Sequence, residues 1–191
     1  MNKNKFKKKF LNYFEEKRKV KEDYFEDIYN LFLDILITVK KKGIVIIYGN
    51  GGSAAESEHF VAELVVKYFK VRKPIAAISL NSSGALLTAH SNDFNYETVF
   101  SRQIEAFARK ENLFISMSTS GLSKNVISSL GLLNKLNLRN YILTSQKFKD
   151  TNKTKKTKKI IVKSSTTSTI QEHHLYIIHL VCEFLDEALW F

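Results

Sequence analysis

The 191-residue sequence predicts an α/β fold built on a mostly parallel sheet. Three observations carry that prediction. Apolar, β-branched runs of strand length recur along the chain. Helical stretches separate them. The first run, Ile44–Tyr48, leads through Gly49-Asn50-Gly51-Gly52-Ser53 into Ala54–Phe69, which has neither glycine nor proline. Strand, glycine turn and helix in that order present backbone N–H groups to an anion.

The elements follow in order. From about Lys5 to Lys42, Phe6, Phe10 and Phe14 and then Tyr24, Ile28, Leu31 and Ile35 recur near helical spacing. They predict one long helix or a pair, which either covers its own domain or packs an oligomer. Strands are expected at Ile44–Tyr48, Ile75–Ser79, Leu113–Ser116, Asn140–Leu143 and Lys159–Val162. Between them helices are expected at Ser53–Lys70, Ser83–Asn92, Tyr96–Lys110 and Ser123–Leu136, with a last one from about Thr169 to Leu189. Continuous apolar strands separated by helices belong to a parallel sheet buried on both faces. The lysine-rich stretch 147–159 reads as an inserted loop, not a boundary. The chain is therefore expected to be one domain, 1–191, with an N-terminal helical segment (1–42) and an α/β core (43–191).

Composition narrows the function. No apolar run reaches the roughly 20 residues that span a bilayer. Met1–Lys9 lacks the apolar region of a secretory signal. The single cysteine, Cys182, cannot form an internal disulfide and reads as a core residue in a reducing cytoplasm. The net charge of +11 comes mainly from lysine. The segment Asp150–Lys156 interleaves no aromatic or arginine with its lysines, so it reads as a solvated loop rather than a nucleic-acid surface. A small anionic substrate suits the charge equally well.

In an open parallel sheet, ligands bind beyond the carboxyl ends of the strands. Three polar segments are expected there: Gly49–Ser53; Asn92-Asp93, in a loop between helical stretches; and Ser118-Thr119-Ser120-Gly121 with Ser123. The last could be an N-cap or a phosphate cradle, and the second glycine-rich turn favours the cradle. It is neither a P-loop nor a dinucleotide fingerprint, because G-x-x-x-x-G-K-[ST] is absent and G-x-G-x-x-G fails at Ala54. On the helix after the glycine turn, His59 and Glu63 share a face at i,i+4. Gln171 and His179 lie about two turns apart on the last helix. His173 and His174 between them read as ordinary helical histidines. By spacing, the first four are compatible with a metal or acid/base site and equally with ordinary helix residues.

Several motifs occur together in one order: Gly49-Asn50-Gly51-Gly52-Ser53, His59-Phe60-Val61-Ala62-Glu63-Leu64, Asn92-Asp93-Phe94, Phe100-Ser101-Arg102-Gln103, Ser118-Thr119-Ser120-Gly121, and Ile170-Gln171-Glu172 with His179. From about Lys42 to the C-terminus the chain resembles the phosphoheptose isomerases of the sugar isomerase (SIS) domain superfamily. The resemblance implies a three-layer αβα sandwich with a five-stranded, flavodoxin-like parallel sheet and a homotetramer with active sites at subunit interfaces. It implies conversion of sedoheptulose 7-phosphate to D-glycero-D-manno-heptose 7-phosphate, the first step towards nucleotide-activated heptose for bacterial surface polysaccharide. It implies Zn²⁺ at His59, Glu63, Gln171 and His179. Sugar phosphate would be held by Asn50, Gly51, Gly52, Ser53, Glu63, Asn92, Asp93, Ser118, Thr119, Ser120, Ser123 and Gln171. Glu63 would act as base and His179 as acid. Lys67, where the family commonly has arginine, and Ser168-Thr169 before Ile170 depart from the pattern. Two alternatives stand beside this reading: a catalytically inactive relative that binds the replication initiator DnaA, and an SIS isomerase of another sugar phosphate. Relatives of the first kind lack the equivalents of Glu63 and His179, which are present here.

Overall fold

The computed structural model describes residues 24–189, so Phe6, Phe10 and Phe14 lie outside the described residues. The elements are α1 (Phe25–Lys40), β1 (Val45–Gly49), α2 (Gly52–Val65), β2 (Ala77–Ser79), α3 (Gly84–Asp93), a short 3-10 turn (Tyr96–Thr98), α4 (Val99–Ala106), β3 (Leu113–Ser118), α5 (Lys124–Lys135), β4 (Asn140–Ser145), β5 (Lys158–Val162) and α6 (Thr167–Leu189). All five strands are parallel, in the order β2-β1-β3-β4-β5.

Side chains of a strand alternate between its faces, which is why both faces had to be apolar. Val45 and Ile47 of β1 enter one core with Leu113, Ile115, Tyr141 and Ile160. Ile46 and Tyr48 enter the other with Phe114 and Ile142. The first core is closed by α1, α2 and α6, through Leu31, Ile35, Phe60, Leu64, Ile178 and Leu185. The second is closed by α4 and α5, through Phe100, Ile104, Val126, Leu130 and Leu133. Each fully buried side chain of this size contributes roughly 1.5–3 kcal/mol. Cys182 sits in the first core, where burial pushes its thiol well above the ordinary range.

The N-terminal helix covers its own domain with Leu31 and Ile35 and leaves Phe25 and Tyr29 exposed on its outer side. Its buried face is fixed by Asp34. That carboxylate accepts bonds from the Tyr141 hydroxyl at 2.7 Å and the Lys158 ammonium at 2.8 Å, with Arg139 at 3.6 Å.

Two helices end before their sequence pattern does. Helix α2 stops at Val65, short of the expected Lys70, because Arg72 takes the carbonyls of Glu63 and Leu64 at 2.8 Å each. The stretch expected as one helix from Tyr96 to Lys110 is divided into the 3-10 turn and α4. Asn112 ends it by donating to the Phe107 carbonyl at 2.8 Å. The lysine-rich stretch is a surface loop, tied down where Asn134 donates to the Lys153 carbonyl at 2.8 Å and Lys159 pairs with Asp150 at 2.8 Å. Among the described residues no helix is long and apolar enough to cross a membrane.

Candidate active site

The strand order reverses between β1 and β3. From β1 the chain moves outward to β2 and then returns to β3 on the other side. The connection after β1 leads to α2 on one face, and that after β3 leads to α5 on the other. Such a divergence opens a crevice at the strand ends. Both polar turns lie there. Gly51 has φ +56°, which glycine adopts without strain. At Gly49 a Cβ would stand 2.7 Å from Ser53 Cβ and 2.9 Å from the Met117 carbonyl, so only glycine fits.

Helices α2 and α5 both begin without a side-chain cap. Ser123 occupies the N-cap position of α5, but its hydroxyl turns to the Ser118 hydroxyl, 3.3 Å away. By contrast, α3 has an ordinary cap, in which the Ser83 hydroxyl accepts from the Leu86 N–H. Two uncapped helix starts side by side leave backbone donors and positive helix dipoles for an anion. The cradle is braced from within. Asn50 and Asn125 exchange side-chain hydrogen bonds at 2.8 and 2.9 Å, and the Tyr96 hydroxyl donates to Asn50 Oδ1 at 3.0 Å. Asn81 clamps the end of β1, accepting from the Gly49 N–H at 3.1 Å and donating to its carbonyl at 2.9 Å. Ser118 accepts from the Gly121 N–H and Ser120 from the Leu122 N–H, while Thr119 is half-buried.

A second cluster lies along the seam between α2 and α6. The two helices meet in register, with Gln171 against Gly52, His174 beside Glu56, and His179 opposite His59. A Cβ on Gly52 would collide with the Gln171 amide. The His59 and His179 Nε2 atoms face each other at 3.0 Å, and Glu63 Oε1 is 3.7 Å from His59 Nε2. Burial, helped by His59 and opposed by Glu63, holds the His179 imidazole below its ordinary range. It is therefore neutral at neutral pH, the form that ligates metals or exchanges a proton. The Tyr68 ring stacks on His179 at 5.4 Å between centroids. Among the described residues no group of three or more His, Cys, Asp or Glu is spaced to hold a metal ion. Two imidazole nitrogens do converge on one point with a carboxylate next to them, and that donor chemistry fits Zn²⁺.

Most expected residues fall into these two clusters: Gly51, Gly52, Ser53, Ser118, Thr119, Ser120 and Ser123 at the cradle, and His59, Glu63, Gln171 and His179 along the seam. One placement changes. Asn92 and Asp93 form the last turn of α3 rather than a loop, because the helix carries on until the Phe94 N–H bonds to the His90 carbonyl. They are exposed and bonded to each other at 3.0 Å. The Asn50 side chain bonds to Asn125 and Tyr96 and so also braces the turn. His174, expected as an ordinary helical histidine, is fully buried with Glu56 at 3.6 Å. Asn81, Asn125 and Tyr96 were missed. Asn81 had a usable signal, since Leu80-Asn81-Ser82-Ser83 is a polar cluster directly after a strand.

A sequence profile described as the SIS domain matches residues 6–145. The chain belongs to the SIS domain family. Its relatives within that family include phosphoheptose isomerases. It is 38% identical to one from Helicobacter pylori (strain ATCC 700392 / 26695), over 96% of this chain and 95% of the other. It is 41% identical to a probable phosphoheptose isomerase from Thermoplasma acidophilum, over 75% of this chain and 78% of the other. Among solved structures, the SIS fold superposes on phosphoheptose isomerase from Neisseria gonorrhoeae with a TM-score of 0.85 at 27% identity, covering 95% of this chain and 99% of that one.

Proposed function

We propose that the chain is a sedoheptulose 7-phosphate isomerase that forms D-glycero-D-manno-heptose 7-phosphate through an enediolate. The observation that carries this is the seam itself, where His59 and Glu63, one turn apart on the helix that begins at the glycine turn, meet His179 of α6. The kinship with phosphoheptose isomerases supports the choice of sugar.

The phosphate is held at the uncapped starts of α2 and α5, with the Ser118, Ser120 and Ser123 hydroxyls and Thr119 around it. Gly51 and Gly52 let the ligand approach the backbone closely. Glu63 removes a proton from C1 of the ketose, leaving an enediolate with its charge on the C2 oxygen. Neutral His179 takes the proton from the O1 hydroxyl and delivers it to the C2 oxygen, and Glu63 returns a proton to C2, leaving the aldehyde at C1. Each group ends as it began. Gln171, against the glycine turn, orients the sugar between the phosphate and the reacting carbons. His59, Glu63, Gln171 and His179 are the residues to hold Zn²⁺, which when bound polarises the substrate carbonyl.

The wider reading has a homotetramer in the cytoplasm, where phosphorylated sugars are retained. Exposed Phe25, Val66, Phe69 and Val71 offer apolar area for assembly. The presence of Glu63 and His179 weighs against an inactive regulator. A coupled assay with sedoheptulose 7-phosphate, run with and without chelator, tests reaction and metal together. Turnover of this heptulose and loss of activity with chelator are expected. No turnover of it, with turnover of another ketose phosphate, would move the chain to a different SIS activity.

A further inference from the structure

The loop between α2 and β2 is held by an ion pair with almost no solvent contact. Arg72 and Asp186 side chains meet at 2.8 Å and are 0% and 2% exposed. Every arm of the pair reaches something beside the site. The Arg72 fork donates to the carbonyls of Glu63 and Leu64 at 2.8 Å each and of Lys73 at 3.3 Å. The other oxygen of Asp186 accepts from the Phe69 N–H at 2.6 Å and the Lys70 N–H at 2.8 Å. The residue before Phe69 is Tyr68, whose ring lies on His179 at 25° to its plane. Asp186 itself stands two turns beyond His179 on α6.

We infer that the Arg72–Asp186 pair is a positioning device for the isomerisation site, setting Glu63 through its own carbonyl and His179 through Tyr68. A buried ion pair is costly, and a well-packed apolar pair of similar volume would often stabilise the fold as well. An apolar pair cannot hold two helix carbonyls and two loop amides at once. Lysine cannot replace the arginine either, since its single ammonium lacks the planar fork. The pair therefore fixes where α2 ends and how the strap 66–71 crosses to α6. Through those two constraints it fixes the distance between the base and the acid. The inference rests on the proposed isomerase reading for its kinetic consequence, but not for its geometry.

The test compares wild type with Asp186→Asn, Arg72→Lys and the apolar double variant Arg72→Met/Asp186→Leu, which keeps the fold if the ionic singles do not. Expected is a fall in kcat on the order of 10- to 100-fold, the scale of losing a partner that orients a site residue, with KM within about threefold. A structural role alone would leave the kcat of the folded fraction at the wild-type value. The second readout is the ring-proton NMR signal of His179. The stacked Tyr68 ring is expected to shift it upfield in wild type, and Tyr68→Ala identifies the shift. Asp186→Asn and the double variant are expected to lose it. Folded variants that keep wild-type kcat and the shifted signal overturn the proposal. If wild type does not isomerise sedoheptulose 7-phosphate, the function reading fails by itself, and loss or retention of the ring shift still decides the positioning claim.

Discussion

The cradle at the strand ends and the seam between α2 and α6 are built by opposite means. The cradle is local. Its donors are backbone N–H groups and small hydroxyl residues within two short turns, and its shape comes from glycines at which a side chain would be strained or would collide. The seam is non-local, joining His59 to a residue 120 positions away. It exists only because two helices pack in register on one face of the sheet. Binding therefore depends on turn chemistry, whereas reactivity depends on helix placement, and the two can be damaged separately.

The largest effect should come from the seam. Glu63→Gln keeps volume and helix but removes the base, so turnover should fall by roughly 10²–10⁴-fold. The melting temperature should stay within a degree or two, and calorimetry beside the coupled assay reads both. A variant that isomerises at the wild-type rate removes Glu63 from the mechanism. Next, Gly52→Ala puts a methyl group where the Gln171 amide lies. Since it strikes both clusters where Gly52 meets Gln171, KM should rise and kcat fall together, each on the order of tenfold or more.

Ser123→Ala and Ser83→Ala separate a cradle hydroxyl from a helix cap. Ser83 caps α3, and its loss should cost about 1 kcal/mol of stability with KM unchanged. Ser123 does not cap α5, so its loss should raise KM several-fold at nearly constant stability. Urea titration and steady-state kinetics on both proteins give the four numbers, and the opposite pattern would make Ser123 an ordinary cap.

The smallest effect lies far from both clusters, at Asp34. Burial pushes its carboxyl up, but the bonds from Lys158 and Tyr141 and the charges of Lys158 and Arg139 outweigh burial, so its pKa is lowered on folding. A lowered carboxyl pKa stabilises the fold fully above the unfolded value of about 4 and loses that contribution as pH falls through the folded value. Stability should therefore decline below about pH 4 more steeply in wild type than in Asp34→Asn, with no effect on activity near neutrality.

The contrast also explains what could be read from the sequence. Ile44–Tyr48 and its glycine turn were legible because strand, turn and helix start each follow from adjacent residues. All five strands were found for the same reason, each within a few residues of its ends. The four seam residues were compatible with a site by spacing and gained roles only through the resemblance to a family, since nothing local says that α6 lies beside α2. The end of α2 was illegible because Arg72 makes it with Asp186, 114 residues away. Asn125 was missed because its partner Asn50 is 75 residues distant and a single asparagine carries no period. Asn92-Asp93 misled because two polar residues resemble a loop when they are also a helix's last turn.

The cradle binds and the seam reacts. That division is tested most directly with Glu63→Gln in D₂O, following sugar-phosphate affinity and solvent deuterium at C2 of the product in one sample. Affinity within a few-fold of wild type and no deuterium incorporation above background are expected, against ready incorporation in wild type. Deuterium entering at the wild-type rate, or binding lost together with exchange, would contradict it.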